Sequence, residues 1–312
     1  MKKLVAILMI AAFVIPAFAD DAQTLPKGVL RTYLTTAYAS GDQAFNADGD
    51  KVDGTELKAL NLGTAIEFGV TDWISAGIQW APGANVWSEY AGDADMTVNG
   101  LYDIKVGAKV QIIGEKAPVQ VPNVRMTVTP GVKIPLPGTD WAKQLENAGA
   151  GDSYIVADAA KHALALGGQL SFDYVINDAF FLNLFGEYMK YLPRKDAASS
   201  LLAYQFYGET LDYDYGYAFK LEFEPHYELA LGAGKLSLGL PVTYDMFPET
   251  VTNDVGNGLD GYTLSLSPSA SYFFMAGPIP LDLKLGYTLP VMGKNASILN
   301  TAVFQIKCYL KF

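Results

Sequence analysis

The feature that most constrains this chain is a strict two-residue alternation that recurs along nearly its whole length and ends at the last residue. Phe304, Ile306, Cys308, Leu310 and Phe312 are apolar, and Gln305, Lys307, Tyr309 and Lys311 fall between them. A period of two puts the two sets on opposite faces of one extended strand. The segment before it repeats the scheme, with Leu281, Leu283, Leu285, Tyr287 and Leu289 set against Asp282, Lys284, Gly286 and Thr288. Further back, Tyr217, Phe219, Leu221, Phe223, Tyr227 and Leu229 oppose Lys220, Glu222, Glu224, His226 and Glu228. In the first half, Tyr102, Ile104, Val106, Ala108 and Val110 oppose Asp103, Lys105, Lys109 and Gln111. The first such segment, residues 29–39, is the least regular, with Leu30, Leu34 and Tyr38 facing one way and Arg31, Tyr33 and Thr35 the other.

Twelve segments of this kind can be counted, and an even number is the rule for bacterial barrels. Short links fall near residues 70–72, 115–121, 177–178, 232–234 and 277–278. Longer ones cover residues 41–56, 82–98, 138–161, 193–213 and 248–260, and a last short one covers residues 293–297. Alternating short turns and long loops belong to a barrel with periplasmic turns and external loops. The expected fold is therefore all-β: a single antiparallel transmembrane β-barrel over residues 29–312, with 12 strands and 14 as the alternative count. Both termini are then periplasmic.

A soluble sandwich also alternates, but its strands run to about five or six residues, whereas these run to about ten. Aromatic residues near strand ends (Trp80, Tyr102, Tyr174, Tyr188, Tyr244 and Tyr287) match the girdles at the two lipid headgroup levels. Lipid would not accept the charges on the other face, so that face must line the lumen. It carries Arg31, Glu67, Asp103, Lys105, Lys109, Arg125 and Lys133 on the first five strands, then Asp173 and Glu187. Beyond the five polar residues of 217–229 named above, it carries Lys235, Asp245, Asp282, Lys284, Lys307 and Lys311. Basic residues crowd the fourth, fifth and twelfth strands and acidic ones the eighth, which predicts a transverse field across the lumen. Pro130, Pro225, Pro241 and Pro268 fall inside strands, where each removes a ladder donor.

Lys2 and Lys3, an apolar run over residues 4–18 and the small-x-small sequence Ala17-Phe18-Ala19 read as a secretory signal over residues 1–19. Residues 20–28 are then a short periplasmic segment. No later stretch has the length and apolar content of a transmembrane helix. A net charge of −11 excludes nucleic acid as a partner, because phosphate calls for a basic surface. The partners expected are outer-membrane lipid, a small-molecule solute, and the barrel-assembly machinery, read through the C-terminal strand ending in Phe312. The single cysteine, Cys308, allows no internal disulfide and faces lipid.

No catalytic constellation emerges. His162 sits at the outer end of the sixth strand, where a lone histidine is ordinarily solvated. His226 lies between Glu224 and Glu228, but no serine or aspartate with motif spacing accompanies it. No cofactor is implied. Asn46, Asp48 and Asp50 begin like a calcium loop, yet Leu57 stands where the bidentate glutamate belongs, so these three are weak metal candidates in an acidic turn. Residues 140–147 suit a short helix capped by Asp140. The apolar residues of the second and third external loops (Trp87 and Tyr90; Trp141, Leu145, Tyr154, Ile155 and Val156) would shape the mouth.

Asp48-Gly49-Asp50, the strand over residues 60–68, the turn Gly69-Val70-Thr71-Asp72 and the returning strand over residues 73–77 resemble a signature of outer-membrane transporters for hydrophobic small molecules. These are the long-chain fatty-acid and aromatic-compound channels and the related phenol-degradation-pathway barrels. The resemblance implies passage of hydrophobic or aromatic compounds. It also implies an N-terminal plug and fourteen strands, whereas here only residues 20–28 precede the first of twelve. The motif places no binding residue of the family on this chain. The function expected is passive uptake of small solutes through an outer-membrane channel; the alternative is a structural or surface-interaction barrel with a closed lumen.

Overall fold

The computed structural model describes residues 21–88, 98–99 and 102–312. The expected signal over residues 1–19, Tyr90 and the side chain of Trp87 lie outside the described residues. The wall strands are β1 (Val29–Phe45), β2 (Lys51–Thr71), β3 (Ile74–Ser88), β4 (Ile104–Ile113), β5 (Val124–Ile134), β6 (Ala165–Asn177) and β7 (Phe180–Tyr191). They continue as β8 (Tyr217–Leu231), β9 (Gly234–Gly239 and Val242–Phe247), β10 (Gly261–Leu266 and Ser269–Ala276), β11 (Ile279–Lys294) and β12 (Ala296–Lys311). Each pairs antiparallel with the next. β12 closes on β1 in a register running from Val29 opposite Lys311 to Phe45 opposite Ala296. The result is a closed 12-strand antiparallel barrel.

The alternation dictates which side of the wall each residue takes. Leu34, Leu166 and Leu285 are 54%, 52% and 63% exposed on the outer face, a belt that is stable only against lipid. On the inward face Thr35, Thr127 and Asp173 are fully buried. Tyr174, Tyr188 and Tyr287 are exposed on the outer face, as a headgroup girdle requires. Tyr102 is not part of that girdle. It is buried with Ala39, Leu57, Ala59, Val98 and Leu299 below the outer loops, because β4 begins only at Ile104.

Three strands run further outward than the alternation predicts. β1 reaches Phe45, β2 begins at Lys51, and β3 continues through Pro82 to Ser88. Above the membrane both strand faces meet water, so the pairing persists (Gln43 opposite Asp53) while the apolar period disappears. The first outer connection is thereby reduced to the turn at residues 46–50. There the Asn46 side-chain oxygen accepts hydrogen bonds from the Asp48 and Asp50 backbone N–H groups, both at 2.9 Å. That oxygen closes a turn. Among the described residues no cluster of three or more acidic, histidine or cysteine side chains is arranged to hold a metal ion.

Pro225, Pro241 and Pro268 stand in neighbouring strands, and each still accepts where it cannot donate. The Leu240 N–H donates to the Pro225 carbonyl (3.3 Å), that of Ser267 to Pro241 (2.8 Å) and that of Tyr287 to Pro268 (3.0 Å). Regular pairing resumes on both sides of the row. Pro130 keeps its register opposite Gly168.

Outside the wall, α1 (Trp141–Ala150) starts at Asp140, whose side chain accepts from the Lys143 N–H at 3.0 Å, as the sequence predicts. Trp141 is buried and its indole N–H donates to the Ala198 carbonyl at 2.9 Å, tying the third external loop to the fourth. The fourth loop holds α2 (Leu201–Tyr207) and two strands of a small sheet completed by residues 251–252 and 255–256.

Candidate functional site

The barrel interior divides into a filled side and an open side. On the filled side the Arg31 guanidinium meets Glu67 at 2.5 Å, and Ser75 donates to the same carboxylate at 2.5 Å. Residues 21–28 turn up into the barrel on this side. Lys109 donates to the Asp21 carbonyl (2.5 Å), Gln111 donates to the Ala22 carbonyl (2.7 Å), and the Ala22 N–H donates to Asp173 (3.2 Å). Asn183 donates to Asp173 at 2.8 Å, and Arg125 lies 3.7 Å from it. Ala22 is fully buried.

The turn Gly69-Val70-Thr71-Asp72 is the bracket for this segment. The Pro26 carbonyl oxygen would lie 2.1 Å from a Cβ at position 69, so only glycine admits the close approach. The Asp72 side chain accepts from the Lys27 N–H (3.1 Å), and the Asp72 carbonyl accepts from Thr24 (3.0 Å). Residues 20–28, expected to be a short periplasmic tail, thus fill part of the lumen from residue 21 onward.

The open side is a cavity of about 1810 Å³. Among the described residues β2 contributes nothing to its lining and β3 only Gln79, whereas β8–β12 line it throughout. Its lining extends from Phe206, Tyr207, Asn253 and Asn257 at the outer loops to Pro122, Asn177 and Asp178 at the short turns. Of the sequence-predicted lumen residues, Arg31, Lys105, Arg125, Lys133, Glu187, Lys220, Glu222, Glu224, His226 and Glu228 line it. So do Lys235, Asp245, Asp282, Lys284 and Lys307. Glu67, Lys109 and Asp173 belong to the filled side, and Lys311 is exposed at the end of β12.

The predicted transverse field is largely neutralised by local pairing. Lys105 pairs with Glu187, to which Gln169 also donates, and Lys133 donates to the Tyr191 hydroxyl at 3.0 Å. Across the lumen, Glu222 takes Thr243 (2.8 Å) and Lys220 (3.2 Å), Glu224 lies 3.2 Å from His226, and Glu228 pairs with Lys235. Lys307 lies 3.3 Å from Asp282. Several ladder partners carry opposite charges (Arg31 opposite Glu67, Arg125 opposite Asp173, Lys220 opposite Glu187, Asp282 opposite Lys307), which stabilises the pairing. Lys105, by contrast, stands opposite Lys133 and takes its carboxylate from Glu187 on another strand. His226 also stacks on Phe181, ring centroids 4.4 Å apart.

Asp103 and His162 act together outside the cavity. His162 is buried, not solvated: its Nδ1 lies 2.8 Å from the Leu136 carbonyl and 3.7 Å from Asp103, and its Nε2 lies 3.4 Å from Asp158. Asp103 also accepts from the Leu136 N–H. The group pins residues 135–164 over the mouth, with His162 at φ 48°, a backbone conformation a non-glycine residue adopts only under constraint. Burial disfavours the charged imidazolium, but Asp158 and Asp103 outweigh it and raise the His162 pKa above its ordinary value. A raised folded-state pKa gives stability that is complete below the unfolded value of about 6.5 and is lost as pH rises through the folded value. Amide hydrogen exchange in residues 135–164, corrected for the intrinsic rate, is therefore expected to gain on the wall strands between about pH 6 and pH 9. His162→Gln should remove that dependence. An unchanged ratio in the natural protein would refute the pin.

Alternation could not find the aromatic group at the outer end of the lumen, formed by Tyr191, Tyr213 and Tyr215 beside Lys161. Tyr213 and Tyr215 lie in a connection, where periodicity carries no orientation; the repeated tyrosines of residues 213–217 were the only signal.

No protein-family model and no curated protein matches the chain. Among solved structures it is similar to an outer-membrane channel from Pseudomonas putida F1, with a TM-score of 0.66 and 15% identity over 95% of this chain and 100% of that one. The transport unit of the autotransporter AIDA-I from Escherichia coli gives a TM-score of 0.48 at 9% identity over 98% and 96% of the two chains. A Pseudomonas aeruginosa FadL homologue gives 0.38 at 11% identity over 91% and 90%. By the first of these likenesses, the chain shares the fold of an outer-membrane channel.

Proposed function

We propose that the protein is a diffusion channel of the outer membrane for small solutes, and that the path follows the open side of the lumen along β7–β12. The observation that carries this reading is one cavity whose lining reaches both the outer loops and the short turns. The fold shared with a channel agrees with it. At the outer rim α2 presents Leu202, Phe206 and Tyr207, the last two 70% and 62% exposed, and all three line the cavity. Apolar side chains at a mouth collect hydrophobic or aromatic solutes, the class that the hairpin resemblance implies. On this reading residues 1–19 are a secretory signal, both termini are periplasmic, and the strand ending in Phe312 addresses the assembly machinery. The Phe312 N–H bonds to the Gly28 carbonyl at 2.9 Å, so the start of β1 and the end of β12 lie side by side.

Planar-bilayer recording of the refolded protein tests the path. Discrete ionic steps are expected, and a silent, correctly folded barrel would favour the closed surface barrel instead. Lys284 lines the cavity and has no carboxylate within ion-pair distance among the described residues. Lys284→Glu should therefore shift the reversal potential toward cation preference. An unshifted potential in a conducting channel would remove the β8–β12 side from the path.

A further inference from the structure

We propose that the outer end of the lumen holds a binding site for small aromatic carboxylates, with Lys161 and Lys133 taking the carboxylate and Tyr191, Tyr213 and Tyr215 the ring. This inference rests on the channel reading and names the solute class that the path would select.

The two cations flank one tyrosine. The Lys161 Nζ lies 4.3 Å from the Tyr191 ring centroid and 5.2 Å from that of Tyr215. The Lys133 Nζ lies 5.5 Å from the Tyr191 centroid and donates to the Tyr191 hydroxyl. Among the described residues no carboxylate comes within ion-pair distance of Lys161. Two ammonium groups share a low-dielectric wall, and the aromatic faces compensate only part of the desolvation. A ligand carboxylate at this point would supply the missing counter-charge and accept charge-assisted hydrogen bonds from both.

The apolar half of the site is equally defined. Tyr213 and Tyr215 stack with centroids 5.7 Å apart and an interplanar angle of 4°, and Tyr191 meets Tyr215 edge-on at 6.3 Å. All three, with Leu211, line the cavity at its outer end, between the α2 rim and the Lys105–Glu187 pair. The three rings are packed with one another and largely buried, so the apolar surface they leave to the cavity is narrow and favours a flat ligand. A solute leaving the rim meets this group before it reaches the polar stretch of the lumen.

Every charged group that faces Lys161 bears on its protonation. Burial is the largest cause, Lys133 adds repulsion, Asp103 opposes both, and together they bring Lys161 down to about 7. Arg194 is also near, donating to the Lys161 carbonyl at 3.4 Å. A carboxylate ligand must therefore bind less well as pH rises and Lys161 loses its proton.

The test uses the full-length refolded barrel in detergent, with benzoate as probe and benzamide as its uncharged counterpart, followed by calorimetric titration. Benzoate is expected to bind more tightly than benzamide and to weaken between about pH 6 and about pH 9. Lys161→Met should weaken benzoate about tenfold or more and leave benzamide unchanged, whereas Lys161→Arg should retain benzoate binding. Heat-modified gel mobility confirms that each variant is folded. Equal affinity for the two probes, no binding of either, or a Lys161→Met variant that binds benzoate as the natural protein does would each overturn the site. Bilayer recording of the same preparation separates the two claims. A conducting barrel that ignores benzoate sinks the site alone, and a silent barrel that binds benzoate sinks the channel alone.

Discussion

A Glu67→Ala variant is expected to lose roughly 3–5 kcal/mol of folding free energy, because it leaves a buried guanidinium without its counter-charge. The Arg31 and Glu67 side chains are 8% and 2% exposed, so solvent cannot replace the lost partner. Ser75 is fully buried and would lose its acceptor as well. Urea titration of the refolded barrel, followed by tryptophan fluorescence, measures the shift in midpoint. The contrast is Glu228→Ala, whose partner Lys235 is 48% exposed; a pair of that kind contributes about 0–1 kcal/mol. If the two variants unfold at the same denaturant concentration, the division into a filled and an open side has no energetic meaning.

An Asp173→Ala variant should free the segment that lies inside the barrel. The carboxylate is fully buried, accepts the Ala22 N–H and the Asn183 amide, and faces Arg125. Its loss leaves a buried donor unpaired, at a cost of roughly 1–3 kcal/mol. The cost falls on the held segment, since the wall keeps its ladder. The released population should rise by about tenfold to a hundredfold. The half of the lumen nearest the short turns then widens, so single-channel conductance should increase and residues 21–25 should become open to protease. Asp173→Asn, which keeps an acceptor at the same place, should lie between the two. A conductance equal to that of the natural protein, with the segment still protected, would show that the Asp72 and Gly69 bracket suffices alone.

Most of the wall was legible because lipid and lumen impose a period of two on every residue between them. Leu34, Leu166 and Leu285 face out and Thr35, Thr127 and Asp173 face in as the alternation requires. The rule stops where its cause stops. Above the membrane β1 and β2 stay paired while their apolar pattern fades, which hid their true length. Tyr102, aromatic and in phase, looked like a girdle residue, but the loops cover it. The interior was half legible: alternation tells which residues point inward and nothing about which inward residues touch. Lys109 and Lys284 look alike in sequence, yet one is tied to Asp21 and the other stands on the cavity wall. The burial of His162 is hidden for the same reason, since its partners Asp103 and Asp158 come from separate stretches of the chain. In sequence the turn at residues 69–72 carries only a resemblance; the fold shows that it clasps residues 24–28.

The unequal filling of the barrel bears on how such a chain can diverge. Substitutions along β2 and β3 strike a packed ionic core, and most descendants carrying them would be lost at assembly. Substitutions on the inward faces of β8–β11 meet open space and paired charges half in solvent, so a lineage can accumulate them without forfeiting the scaffold. Two descendants of one ancestor would then keep nearly the same Arg31–Glu67–Ser75 neighbourhood while admitting different compounds, and their sequences should differ most on the wall that the cargo touches.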